Sequence, residues 1–254
     1  KTDIKDGSNN SFKKIDINVE ERPTGEISVT AGLGTTGETI GAGIKENNFL
    51  GKGINLNTNF EVTSDSIKGQ FIYAKPNFNY SDNTLFTSIK SSTSDFLTDS
   101  GYKTSEIGFS LGTKFEQFQN IFLSPEIDFL IEDLETTSDA SNILKKQEGS
   151  YTDLYFNYSI NQDLRDKKFR TEDGYVTTFS QELPLVSDNS EISNAFEITN
   201  YRKLSSTSDM VGKVSFFGKT ITGLSDDVRI SKRLTVPITL SCTNSIGLSI
   251  DLST

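Results

Sequence analysis

Four charged residues in one short stretch, Asp163, Arg165, Asp166 and Asp173, are the first candidates for chemistry in this chain. Carboxylates at such spacing suit an ion-pair cluster, a calcium site or the paired acids of glycoside hydrolysis. The last two lack support, because no EF-hand spacing surrounds them and the chain has no tryptophan to stack on a sugar. The spacing favours an ion-pair role, lumenal or hairpin-fixing. Asp226 and Asp227, beside Arg229, read as a solvated loop.

Other catalytic sets fail on composition. There is no histidine, and Cys242 is the one cysteine. Ser-His-Asp triads, Cys-His pairs and Cys/His zinc sites therefore cannot be assembled, and no internal disulfide can form. With 25 basic against 35 acidic residues the net charge is −10, so the phosphate-neutralising surface that nucleic acid requires is missing. No enzyme chemistry is expected, and no metal, nucleotide or other cofactor is implied. No apolar run approaches the roughly 18 residues of a membrane helix, and residues 1–10 are too polar for a signal-peptide core.

What remains is to ask which elements this chain builds. Period-two alternation is widespread and helical spacing is scarce. Ile27, Val29, Ala31 and Leu33 alternate with Ser28, Thr30, Gly32 and Gly34. Leu56, Thr58, Phe60 and Val62 oppose Asn57, Asn59 and Glu61, and Ile127, Phe129 and Ile131 oppose Glu126, Asp128 and Glu132. About eleven such strands fit between residues 26 and 222, as an antiparallel meander. The fold class is all-β.

Two architectures give this alternation, a soluble sandwich with the apolar face inward and a transmembrane barrel with that face toward lipid. Hydrophobic residues make up only 33% of the chain, too few for a large dry core. Asn, Glu and Lys recur along the strands, and a water-filled lumen tolerates them where a dry core would not. Strands of about ten residues also match the length that crosses a bilayer at a tilt. The pattern therefore predicts a transmembrane barrel. Residues 12–21 read as one more strand, before a break at Arg22-Pro23-Thr24-Gly25.

The segment from Ile17-Asn18-Val19-Glu20-Glu21-Arg22-Pro23-Thr24-Gly25 to Leu33-Gly34-Thr35 resembles the junction between the last periplasmic POTRA domain and the barrel in the BamA-type family of outer-membrane protein assembly factors. Asn47-Asn48-Phe49-Leu50-Gly51-Lys52-Gly53 is similar to that family's turn after the second strand. Lys75-Pro76-Asn77-Phe78 is similar to the end of its fourth strand. Asp163-Leu164-Arg165-Asp166 with Thr171-Glu172-Asp173-Gly174-Tyr175 resembles a hairpin further along. Order and spacing agree over residues 15–237. Beyond Leu234 the family continues to an Arg-Gly-Phe loop that folds back into the barrel, and this chain has no Arg-Gly-Phe.

The resemblance implies residues 1–22 as the end of a POTRA domain and residues 23–254 as the N-terminal portion of an outer-membrane barrel, with residues 235–254 atypical. It implies about 11 to 12 of roughly 16 strands, hence an incomplete copy. The implied role is insertion of barrel proteins through a lateral gate whose near side is Ile27, Val29, Ala31, Gly32, Leu33 and Gly34. Glycines there and at Gly41 and Gly43 weaken the strand pairing, or relieve crowding at a bend. Implied partners are unfolded outer-membrane proteins, accessory assembly lipoproteins and outer-membrane lipid, with the N-terminal segment in the periplasm. Alternatives are a superfamily relative that secretes a dedicated partner, a passive porin-like channel, and a soluble adhesin-like sandwich.

Overall fold

The computed structural model describes residues 2–6, 13–17, 20, 23–34, 37–188, 190–205, 210–224, 227–236, 240–242 and 244–253. Two short strands, β1 (Thr2–Asp6) and β2 (Lys13–Ile17), pair antiparallel as a separate sheet. Of the strand expected over residues 12–21, Lys13–Ile17 is seen, and it pairs with β1. Phe12, Asn18, Val19 and Glu21 of that stretch, and Arg22 of the break after it, lie outside the described residues.

The meander follows. It consists of β3 (Gly25–Gly34), β4 (Gly37–Phe49), β5 (Ile54–Thr63), β6 (Ser66–Lys75), β7 (Thr84–Phe96), β8 (Tyr102–Phe118), β9 (Ile121–Thr136), β10 (Gly149–Asp163), β11 (Asp173–Val186), β12 (Glu191–Lys203) and β13 (Val211–Gly223). Each strand pairs antiparallel with the next, as the alternation predicts. A small hairpin, β14 (Leu234–Val236) with β15 (Leu240–Cys242), comes next. Then β16 (Asn244–Ser253) adds to β13, so the sheet has twelve strands with β3 and β16 at its edges.

Such a meander sends alternate connections to opposite rims. The near rim, where the chain enters β3, carries the turns β4–β5, β6–β7, β8–β9, β10–β11 and β12–β13. The far rim carries the rest, including residues 137–148 and the segment after β13.

Burial is inverted relative to a soluble sandwich. Along β9, Ile127, Phe129 and Ile131 are exposed while Asp128, Leu130, Glu132 and Leu134 are buried. Ile107, Phe109 and Leu111 of β8, Ile160 of β10, Phe196 of β12 and Phe216 of β13 extend the same bare apolar face. Each such side chain gains about 1.5–3 kcal/mol on leaving water for hydrocarbon, and a contiguous apolar face of this extent calls for lipid. Polar residues interrupt the belt at Tyr158, Gln181 and Asn194, and they satisfy one another. The Tyr158 hydroxyl donates to Gln181 Oε1 at 2.9 Å, and Gln181 Nε2 donates to Asn194 Oδ1 at 2.5 Å.

The strands are not uniformly ten residues, which corrects one expectation. β3, β5 and β6 are ten long, whereas β8, β9 and β10 have 17, 16 and 15. Ile107 pairs with Ile131 at the top of the belt, and two rungs further on Lys103 pairs with Glu135 on the same face. The longer strands therefore run past the hydrocarbon into water, where backbone pairing continues but apolar side chains are no longer required.

Candidate functional site

Among the described residues the most deeply buried side chains gather on the inner face, toward the far rim, around Arg229. Its side chain has 0% exposure although it comes from a connecting segment. Arg229 Nη2 pairs with Asp153 Oδ2 and lies 3.8 Å from Glu191 Oε1, and Nη1 lies 3.2 Å from Glu132 Oε2. The guanidinium stacks over the Tyr151 ring at 4.4 Å. The Tyr155 hydroxyl donates to Glu191 Oε1 at 2.6 Å, and Ser187 Oγ donates to Asp153 Oδ1 at 2.6 Å. β9, β10 and β12 thus each supply one carboxylate to a single cation. A planar fork presenting five donors is suited to bridge them.

The backbone around Arg229 is tied down as well. Ile230 N–H donates to Gln147 Oε1 at 2.9 Å, and Arg233 Nε donates to the Val228 carbonyl at 2.8 Å. Val228 is buried beside Arg229, and Lys232 reaches Glu106 at 3.9 Å. The solvated loop expected at Asp226 and Asp227 does not extend to the residues that follow. Asp227 is exposed, but residues 228–233 fold onto the inner face because three carboxylates there need a cation. Asp226 lies outside the described residues.

A second inner cation sits lower on the wall. Lys90 of β7 spans β8 to reach Asp128 of β9 at 2.9 Å, with Glu106 at 3.7 Å. Gly108 makes that crossing possible, since a Cβ there would lie 2.3 Å from Lys90 Cε. Among the described residues, no group of His, Cys, Asp and Glu is placed to hold a metal ion.

The four charged residues read from the β10–β11 hairpin do not form one cluster. Asp163 makes a two-pronged pair with Arg165, at 2.9 Å to Nε and 2.8 Å to Nη2. Asp166 instead accepts from the backbone N–H groups of Glu172 at 3.0 Å and Asp173 at 3.2 Å. These amides, Asp173's first, hold its carboxyl below the usual carboxylate range. Asp173 accepts from Gly174 N–H at 2.8 Å and has Arg202 at 3.8 Å. Gly174 has φ +107° and would place a Cβ 2.3 Å from the Leu164 carbonyl oxygen, so the hairpin closes only with glycine.

The residues expected to form a gate lie together on β3, at one edge of the sheet. β3 pairs with β4 on one side, from Gly25↔Glu46 to Gly34↔Gly37, and among the described residues its other side pairs with no strand. Ile27 is 82% and Leu33 86% exposed, the highest values on the apolar face, with Val29 close behind. The glycines differ in what they do. A Cβ at Gly32 would meet nothing within 4 Å, whereas one at Gly43 would lie 2.7 Å from Ser28 Oγ. Crowding explains Gly43 and does not explain Gly32.

Comparison with known proteins agrees with this geometry. The profile of the Omp85 superfamily domain matches residues 48–236. No curated protein matches the sequence. Among solved structures, BamA from Haemophilus ducreyi lacking POTRA domains 1-3 is similar with a TM-score of 0.73 at 19% identity, covering 92% of this chain and 49% of that one. CdiB from Acinetobacter baumannii is similar with a TM-score of 0.58 at 12% identity, covering 100% of this chain and 52% of that one. The likeness is one of fold, and the chain spans about half the length of either structure.

Proposed function

The chain belongs to the Omp85 superfamily of outer-membrane barrels, and from that premise we propose that it is the N-terminal part of an assembly factor that folds and inserts barrel proteins into the outer membrane. What supports this reading is the likeness in fold to the BamA structure together with Gly32 in the first strand of the sheet, where a side chain would meet nothing within 4 Å and packing does not require a glycine. A first strand that pairs weakly with its neighbour in the complete barrel can release backbone N–H and C=O groups, and an incoming strand satisfies them by β-augmentation. Ile27, Val29, Ala31, Gly32, Leu33 and Gly34 form one side of a lateral gate, and the opposite side belongs to the last strand of the complete barrel. The work is strand pairing, with no bond made or broken in a substrate.

On this reading the β1–β2 hairpin is the end of a periplasmic POTRA domain and the near rim faces the periplasm. Unfolded outer-membrane proteins and accessory lipoproteins meet the barrel from that side, and outer-membrane lipid covers the apolar belt. The likeness to CdiB over the full chain supports a second reading, a superfamily relative that secretes one dedicated partner.

The test is a cysteine pair joining β3 to the final strand in the full-length protein. The crosslinked form is expected to lose insertion of client barrels into vesicles and to regain it on reduction. Undiminished insertion with the crosslink formed overturns the gate. Insertion of none of several unrelated clients, with export of a single one, favours the secretion reading.

A further inference from the structure

The tip of the β10–β11 hairpin carries Lys168, Phe169 and Arg170, all exposed, in a chain of net charge −10. Phe169 is 81% exposed, with the Arg170 guanidinium 5.8 Å from its ring centre. The tip is held by its own base. Thr171 Oγ1 donates to the Lys167 carbonyl at 2.7 Å, and Glu172 bridges Lys167 and Lys203, each at 3.0 Å. Arg170 takes a left-handed φ of +53°, uncommon for such a side chain, which the closed base supports.

Every carboxylate of the hairpin is engaged with that base. Asp163 is paired with Arg165, Asp166 with the backbone amides, Glu172 with the two lysines, and Asp173 with Gly174 N–H and Arg202. Lys168 and Arg170 have no carboxylate at ion-pair distance among the described residues. The apex therefore presents two cations without an ion-pair partner among the described residues, flanking an exposed aromatic ring. Other near-rim connections or strand ends expose a large apolar side chain too: Leu50, Tyr80, Phe118 and Leu204.

We propose that Lys168, Phe169 and Arg170 form a docking site for anionic phospholipid headgroups in the leaflet at the near rim. The ring enters the headgroup boundary, as aromatic side chains do at membrane interfaces, and the two cations take phosphate oxygens from either side. Lipid is favoured over an acidic peptide because Leu50, Tyr80, Phe118 and Leu204 expose apolar side chains along the same rim, an arrangement suited to a membrane interface. Two surface cations set a preference for anionic over zwitterionic lipid of about an order of magnitude.

The inference rests on the outer-membrane reading, and the experiment separates the two. This chain has no tryptophan, so F169W adds an indole whose fluorescence, taken against the parent protein, reports the tip. Full-length protein is reconstituted in equal mixtures of phosphatidylcholine and phosphatidylglycerol, with bromine on the acyl chains of one lipid or the other. Stronger quenching by the brominated phosphatidylglycerol is expected, and K168E with R170E should make the two lipids quench equally. Heat-modifiable mobility checks that these variants remain folded. Equal quenching before charge reversal, no quenching by either lipid, or an emission shift produced only by added polyglutamate would each overturn the proposal. Failure of the protein to float with vesicles would overturn the membrane reading as well, whereas flotation without quenching would leave that reading standing.

Discussion

Arg229, from the segment after β13, and Asp153, on β10, are 76 positions apart and form an ion pair in which neither side chain is exposed. A buried pair of this kind is poor evidence of net stabilisation, because desolvating both ions costs several kcal/mol each. Its value lies in register. Only one placement of residues 228–233 brings a guanidinium to Asp153, Glu132 and Glu191 together, so the segment is fixed on the inner face rather than loose at the far rim.

Removing the cation should therefore be far worse than removing one acid. R229A strands three buried carboxylates and should cost about 3–5 kcal/mol. R229K should recover only part of that, because an ammonium cannot fork between them. Adding E132Q to R229A should restore some stability, since Glu132 accepts no hydrogen bond among the described residues. Urea midpoints of the vesicle-embedded protein measure all three, and an R229A protein as stable as its parent would show that the cage does not hold the segment.

Lys90 and Gly108 are coupled in a similar way. G108A pushes the lysine stem off β8 and leaves Asp128, nearly fully buried, without its cation. A loss of about 1–3 kcal/mol is expected. With D128N already present the same substitution should cost much less, because the stranded charge is gone. Additive losses in that double-mutant cycle would mean that the glycine serves only local packing.

The meander and its two faces were legible because strand periodicity is local: Ile127, Asp128, Phe129, Ile131 and Glu132 declare their faces within one strand, with Leu130 the exception on the inner face. The Asp163–Gly174 hairpin was legible for the same reason, although the spacing of its charges did not say that Asp166 binds backbone amides rather than Arg165. The Arg229 cage was not legible. Asp226-Asp227-Val228-Arg229 looks like any polar loop, and the three acids that claim the arginine come from separate strands. A usable signal was present in the inner-face acids Glu132, Asp153 and Glu191 near the far-rim ends of β9, β10 and β12. Three carboxylates on one wall demand a cation from somewhere, and Arg229 lies between Val228 and Ile230, which a solvated loop would not need.

Acid should loosen the β10–β11 hairpin before it affects the strands. The backbone amides of Asp173 and Glu172 hold the Asp166 carboxyl below its ordinary value. The sign follows from linkage: its contribution is fully present above the unfolded value of about 3.9, and is lost as pH falls through the lower folded value. Amide exchange at Glu172 and Asp173 should stay slow at about pH 5 and quicken only below about pH 4. In D166A exchange should already be fast at neutral pH, and slow exchange there would show that the carboxylate does not organise the turn.

The two glycines at the β3–β4 seam give opposite expectations, which makes them the sharpest test of the gate. Gly32 has open space around its Cβ position, so G32V adds a β-branched side chain to an exposed strand without a clash. It should stabilise the β3–β4 pairing by up to about 1 kcal/mol. At Gly43 the same change meets Ser28 Oγ and should destabilise the seam by about 1–3 kcal/mol. If β3 works by pairing loosely, G32V should fold at least as well as the parent yet insert client barrels several-fold more slowly, whereas a purely structural β3 predicts that insertion simply tracks stability. Measuring insertion rate and urea midpoint on both variants decides it: a G32V protein that is both more stable and faster would remove the reason for a glycine in that strand and, with it, the case for a labile gate.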